Sequence, residues 1–309
     1  MRYLIVGAGA LGGYFGGRLL DAGCDVTFLL RPGRAAALAR TGLVIKSPRG
    51  DLRVAAPPFV LAESIASTFD VVVVGCKAYD LAETMASFAP AVGPDTAILP
   101  LLNGMRHLDA LQQRFGAEPV LGGLCLISAA LDAEGTVLHF NDLHGLVFGE
   151  LDGRASTRIA AIERDFAGAN FKGRSTPQIL QEMWEKWVFI ASAAGITSLM
   201  RANIGEIVAS GGSSFALALY DECRAIAAAN GFPPGPASIE RGRSILTEAG
   251  SPFTASMLKD VERGSAVEAD HVLGDLLGRA PATAPETLSL LGIAYAHLKA
   301  YEARRARIA

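Results

Sequence analysis

The stretch LIVGAGALGGYFGG, residues 4–17, decides the fold. A short apolar run ends in glycine, and helical spacing follows as far as Gly23. Gly7, Gly9 and Gly12 stand there in G-x-G-x-x-G spacing. The first glycine permits a tight turn, the second lets main chain approach a pyrophosphate, and the third allows helix and strand to pack closely. Amides at the start of the helix, around Ala10 and Leu11, supply donors to an anion. The motif alone is a weak signal, but it closes a first strand and opens a first helix, which is the context it requires. The expectation is a dinucleotide site on Gly7, Gly9, Ala10, Leu11 and Gly12; the alternative is a glycine-rich turn without ligand.

Working outward, DVTFLLRPGR (25–34) reads as a second strand, DVVVVGCK (70–77) as a third and TAILPLLNG (96–104) as a fourth. DLAETMASFAPAV (80–92) and HLDALQQRFG (107–116) carry helical spacing between and after them. That alternation predicts a parallel sheet wound with helices. From residue 120, VLGGLCLISAAL, GTVLHFND and HGLVFGEL read as strand pieces joined by tight turns, continuing the sheet with antiparallel additions. After FKGRSTPQ (171–178) the texture changes to long helical patterns: 177–195, 213–231, 237–250, 267–280 and 284–309. Pro233, Pro234 and Pro236 separate two of them. The predicted architecture is an α/β dinucleotide-binding domain over 1–174, then an all-α helical domain over 175–309.

Composition narrows the function classes. Half of the 309 residues are hydrophobic, 19% are charged and the net charge is −3, which gives no reason to expect a nucleic-acid or membrane partner. Cys24, Cys76, Cys125 and Cys223 are widely spaced and read as reduced cytosolic thiols. The chain runs directly into a strand, leaving no room for a signal peptide. A cytoplasmic protein is expected.

The end of the second strand bears on the nucleotide. An acidic residue there suits NAD, whereas arginine suits the 2′-phosphate of NADP. Here Arg31 stands at the end, Arg34 follows, and Asp25 lies at the opposite end. NADPH is therefore expected, with Arg31 as the contact. Lys77 and Asn103 lie where the third and fourth strands end, at the carboxyl edge where such sheets bind ligands; an ordinary loop position is the alternative. In MWEKWVFIASAAG (183–195), Lys186 shares a helical face with Met183, Phe189 and Ile190. A lysine in apolar company is paired, snorkelling or used. His139, Asp142 and His144 invite a metal reading, but polar loop residues are expected instead, and no metal site is assigned.

These motifs, in order, resemble the ketopantoate reductase (2-dehydropantoate 2-reductase) family over nearly the whole chain. The residues that carry the likeness are the amino-terminal glycines, Lys77 in VGCKAYD, Asn103 in LLNGM, Lys186 in WEK, and Ser256 and Glu268 in TASMLKDVERGSAVEAD. The resemblance implies a Rossmann-type domain, a helical domain, a cleft between them, and NADPH-dependent reduction of a 2-keto acid to a 2-hydroxy acid. By position, Lys186 would be the general acid and Glu268 would hold the substrate hydroxyl or the neighbourhood of the reacting oxygen. Ser256 would contact substrate, and Asn103 and Lys77 would lie at the nicotinamide end. The pattern departs at one place. Members commonly carry two asparagines four and eight residues after the lysine, on one helical stripe; here these substrate-facing positions are Ile190 and Ala194, and Asn203 is one residue out of register with a further one. The substrate is expected to be ketopantoate or a 2-keto acid with a more apolar tail. Alternatives are an NADH-dependent D-2-hydroxyacid dehydrogenase on the same scaffold, or a non-catalytic NADPH-binding regulatory protein. A homodimer through the helical domain is a further expectation.

Overall fold

β1 (Arg2–Val6) buries Tyr3 through Val6 without a break, as a strand covered on both faces does. The structure, a computed structural model, describes residues 1–281 and 288–308. It divides into two compact units, Met1–Leu102 with His107–Leu180, and Asn103–Arg106 with Gln181–Ala309.

In the first unit β1 is flanked by β2 (Asp25–Leu29) and β6 (Val71–Val74), with β5 (Phe59–Val60) and β7 (Ala97–Pro100) outside them. All four pairings are parallel. The helices that wind this sheet are α1 (Ala10–Asp21), α2 (Pro32–Thr41), α3 (Leu81–Phe88) and α4 (Arg106–Phe115). The order β5-β2-β1-β6-β7 places the glycine-rich turn at the centre of the sheet, and the parallel α/β architecture matches the expectation.

The strands after residue 120 do not extend that sheet; they build a second one. β3 (Leu43–Lys46) and β4 (Leu52–Val54) form a hairpin, β8 (Leu121–Leu131) and β9 (Val137–Glu150) a long antiparallel pair, and β10 (Lys172–Ser175) follows α5 (Thr157–Ala167). Their order is β10-β9-β3-β4, with β8 on β9. The hairpin makes the difference: Ile45 and Lys46 pair with Val137 and Leu138, which gives β9 a partner away from the first sheet. An isolated parallel bridge between Ile98 and Val120 joins the start of this segment to the first sheet, and β8 packs on β7, where a Cβ at Gly123 would lie 2.7 Å from Leu99. The expected domain end at 174 falls within β10, and the first unit runs on to Leu180.

α1 packs against both sheets, which explains its run of small residues. A Cβ at Gly16 would lie 2.7 Å from Phe28 of the first sheet, and one at Gly13 or Gly17 would lie 2.8 Å from Val137 or 2.9 Å from Ile45 of the second. The two strand pieces expected on either side of a turn at 143 are one continuous strand, and His139, Asp142 and His144, expected as polar loop residues, lie within it. A register irregularity between Ile127 and Ala129 lets the polar segment stay in the ladder. His144 Nδ1 lies 3.0 Å from the Tyr14 hydroxyl and His139 Nδ1 lies 2.8 Å from Ser47 Oγ. Both imidazoles are thus structural partners in a buried layer.

The second unit centres on α6 (Ile179–Met200), buried on every side from Ala191 to Ser198. Helices apolar all round sit inside a core. Ser192 and Thr197 stay satisfied there by donating to the carbonyls of Val188 and Ala193. Around it lie α7 (Ile204–Ala209), α8 (Ser213–Ala229), α9 (Pro236–Leu246), with Pro236 in its first turn, and α10 (Ser256–Glu262). A π-turn (Asp270–Gly274) leads into α11 (Asp275–Gly278), and α12 (Leu290–Ile308) closes the chain. The first four residues of the pattern expected from 284, and Ala309, lie outside the described residues. Among the described residues no helix is long and apolar enough to cross a membrane.

Candidate active site

Three glycines shape the first unit's cradle, each for a different reason. Gly7 leaves β1 with φ +86°, a conformation only glycine adopts readily, and its amide donates to the Leu29 carbonyl at 2.9 Å. Gly12 is fixed by contact, since a Cβ there would overlap the Gly7 carbonyl oxygen and lie 3.2 Å from Ile5. Gly9, the N-cap of α1, has an ordinary φ of −81°, and a Cβ would meet no protein atom within 4 Å. Neither backbone nor packing demands glycine at this position. That leaves open space at the start of the helix, where amide donors favour an anion. The cradle, continued by Ala10 and Leu11, fits a dinucleotide.

Arg31 follows β2 and is exposed; its Nη2 lies 3.1 Å from Glu83 and 3.8 Å from Asp80. Arg34 is employed elsewhere, donating to the carbonyls of Ala8 at 2.8 Å and Gly135 at 3.0 Å. It thereby ties the glycine-rich turn to the β8–β9 turn. Asp25 pairs with Arg2 at the amino end of β2, as its register requires. Lys77 is half-buried just beyond β6 and precedes the 3-10 turn Ala78–Asp80. Gly7, Arg31 and Lys77 therefore share the carboxyl edge of the first sheet.

In the second unit Lys186 is half-buried on α6. Its neighbour Trp187 is fully buried and donates from Nε1 to the Val272 carbonyl at 2.8 Å. That carbonyl belongs to the π-turn, and Glu268, half-buried, stands two residues before the turn. Wide turns of this kind recur at functional sites. His271, in the turn, is only 7% exposed and donates to the main-chain carbonyl of Asn103. Burial pushes its imidazole pKa below the usual 6.5, with the nearby Arg106 charge adding to this. The carboxylates of Glu268 and Asp275 and the Asn103 bond pull the other way. Gly104 makes the approach possible: its φ is +77°, and a Cβ there would lie 3.0 Å from the His271 carbonyl and 3.3 Å from Cδ2. Asn103, Glu268 and His271 are thus gathered in one place.

Comparison with known proteins follows that geometry. Residues 3–153 match the family described as ketopantoate reductase PanE/ApbA, and 178–302 match its C-terminal counterpart. The chain belongs to the ketopantoate reductase family. It is 39% identical to the uncharacterized oxidoreductase YkpB of Bacillus subtilis over 310 residues, covering 99% of this chain and 100% of that one. It resembles the crystal structure of 2-dehydropantoate 2-reductase from Geobacter metallireducens with a TM-score of 0.86 and 27% identity, over 97% of this chain and 99% of that one. The fold also matches D-mandelate dehydrogenase with NADH and anilino(oxo)acetate, at TM-score 0.85 and 20% identity over 99% and 100% of the two chains. This ketopantoate reductase relative is accordingly an oxidoreductase of a family that uses nicotinamide cofactors on small keto acids.

The remaining family positions can be placed in the helical unit. Ile190 is half-buried one turn after Lys186, and Ala194 is buried at 4% exposure. Asn203 is the N-cap of α7: its side chain accepts from the Glu206 amide at 2.9 Å, and Glu206 accepts from the Asn203 amide at 2.9 Å. That capping box gives it a structural task. Ser256 opens α10 with its side chain exposed and makes no hydrogen bond among the described residues. Phe253, three residues before it, lies 5.9 Å ring to ring from Phe189 of α6. Sequence reasoning missed His271. It stands three residues after Glu268, and no local pattern marks it. Among the described residues no three His, Cys, Asp or Glu side chains gather as a metal site.

Proposed function

We propose that this ketopantoate reductase relative reduces ketopantoate, or a 2-keto acid with a more apolar tail, using NADPH. The observation that carries the reading is the placement of Lys186, half-buried beside Trp187, whose indole is bonded to the turn next to Glu268. Gly7, Gly9, Ala10, Leu11, Gly12, Arg31 and Lys77 would hold a nicotinamide nucleotide, which would supply the hydride for the ketone carbon. Charge then builds on the ketone oxygen, where the Lys186 ammonium stabilises it and delivers the proton that completes the alcohol. Glu268 holds the substrate hydroxyl, Ser256 contacts substrate, and the Asn103 carboxamide, which makes no hydrogen bond among the described residues, is available to substrate or nicotinamide. Four free cysteines support a reducing, cytoplasmic setting.

NADPH rests on Arg31 and on the lack of an acidic residue at the end of β2. One observation favours the second reading, an NADH-dependent D-2-hydroxyacid dehydrogenase: Glu83 and Asp80 already flank the Arg31 guanidinium. The deciding experiment follows NADPH oxidation by ketopantoate in wild type and Lys186→Ala. Turnover that falls by about 100-fold or more in the variant supports the reading, as loss of a general acid does. No turnover with ketopantoate or a panel of apolar 2-keto acids, with NADPH still bound, sinks it.

A further inference from the structure

Asn103 and Glu268 are 165 residues apart in sequence, and the physical link between them is His271. Its imidazole donates to the main-chain carbonyl of Asn103, and its Cδ2–Nε2 edge faces Gly104, whose added Cβ would lie 3.3 and 3.5 Å from those two atoms. The Glu268 carboxylate, three residues back along the chain, acts on the same ring. So tight a fit, through a glycine at φ +77°, gives the turn at 103–104 little freedom to move relative to the π-turn. Where the Asn103 Cα and Cβ stand, and so the reach of its carboxamide, depends on how its main chain is held.

We propose that His271 is a positioning residue for the reduction: by holding the Asn103 carbonyl it fixes where the Asn103 carboxamide stands relative to Glu268. This rests on the reductase reading given above. His271 touches neither hydride nor proton; it acts through Asn103. A reacting group displaced by about 1 Å loses roughly 100-fold in rate, so the effect belongs in kcat more than in nucleotide affinity.

The test compares His271→Phe, which keeps a planar ring but no donor, with His271→Gln, which keeps an N–H donor. Turnover of the best 2-keto acid is measured with NADPH affinity, and hydrogen–deuterium exchange is followed across residues 103–106 without ligand. The expected result for His271→Phe is a fall in kcat of about 10- to 100-fold, faster exchange at 103–106 and NADPH affinity within about threefold, while His271→Gln recovers most of both kcat and protection. Equal losses in the two variants, or an undiminished His271→Phe, overturn the proposal. Unchanged exchange in His271→Phe overturns the holding bond even if activity falls. A wild type inactive on every 2-keto acid overturns the reductase reading, and the role of His271 in reduction with it. An active wild type with an unaffected Phe variant overturns His271 alone.

Discussion

The cradle of the first unit and the cluster of the second are built by different physics. The cradle in the first unit lies within six consecutive residues, and main chain defines it: Gly7 by its φ, Gly12 by contact, Gly9 by open space. The cluster in the helical unit draws on residues 103, 186, 268 and 271, and side chains define it: an indole on a carbonyl, an imidazole on a carbonyl. A main-chain site is written locally and tolerates only one residue type. An assembled site depends on packing that no short window contains.

The largest effect should come from setting two cradle glycines against each other. Gly12→Ala drives a methyl into the Gly7 carbonyl, so it is expected to cost about 1–3 kcal/mol or more of stability, seen as a lower Tm. Gly9→Ala meets no protein atom, so its stability should stay within about 0.5 kcal/mol of wild type, with Tm nearly unchanged. Its NADPH affinity should nevertheless fall by about tenfold or more. If Gly9→Ala loses stability and keeps its affinity, the distinction between fold glycine and ligand glycine collapses.

Arg31 tests whether a side chain adds discrimination to a main-chain cradle. A charge-assisted bond to the 2′-phosphate is worth about 1.5–3 kcal/mol, so Arg31→Ala should lower NADPH affinity about 10- to 150-fold and leave NADH nearly unchanged. An unaltered ratio of the two affinities would return Arg31 to its ion pairs with Glu83 and Asp80.

Much of this contrast can be read from the residues, and some cannot. The parallel sheet's central strands and the helical second unit follow from apolar runs and glycine punctuation; β5, only two residues long, and α2 carry too little pattern to be read. The hairpin LVIKSPRGDLRV (43–54) carries a turn signal, but the partner that draws it into a second sheet, Val137–Leu138, is more than 80 residues away. His139 and His144 look like loop polars because strand pairing over a register irregularity leaves no local mark. Ile190 and Ala194 are legible as a departure from the family stripe; His271 is not, because its role depends on where Asn103 folds.

A smaller effect tests the helical unit. The double variant Ile190→Asn, Ala194→Asn restores the family's polar stripe after Lys186. Each new hydrogen bond to a polar substrate is worth about 0.5–1.5 kcal/mol, so kcat/KM for ketopantoate should rise by about 2- to 10-fold per bond. Ala194 is the tighter position at 4% exposure, and Ile190→Asn alone should give most of the gain. No rise in either variant would show that the stripe does not set specificity.

The smallest effect concerns the imidazole layer under α1, polar side chains of the first unit that serve packing. Burial pushes the His144 pKa below 6.5, and the charges of Arg49, His139, Arg18 and Lys172 push the same way. The unfolded chain therefore binds this proton more readily than the folded one. Stability from neutral His144 is present above pH 6.5 and is lost as pH falls through and below that value. Wild-type Tm should drop between pH 7.5 and 5, and His144→Gln, which does not titrate, should drop less. Parallel pH profiles would remove His144 from the account.

The π-turn at 270–274 has a consequence for how such a protein changes over generations. A wide turn amounts to a helix carrying one surplus residue, and each residue of an α-helix advances the chain by about 100°. Loss or gain of a single codon there would swing Glu268 and His271 around the axis as a pair while Leu276 kept its buried seat. A one-residue change there would thus redirect both side chains without replacing either.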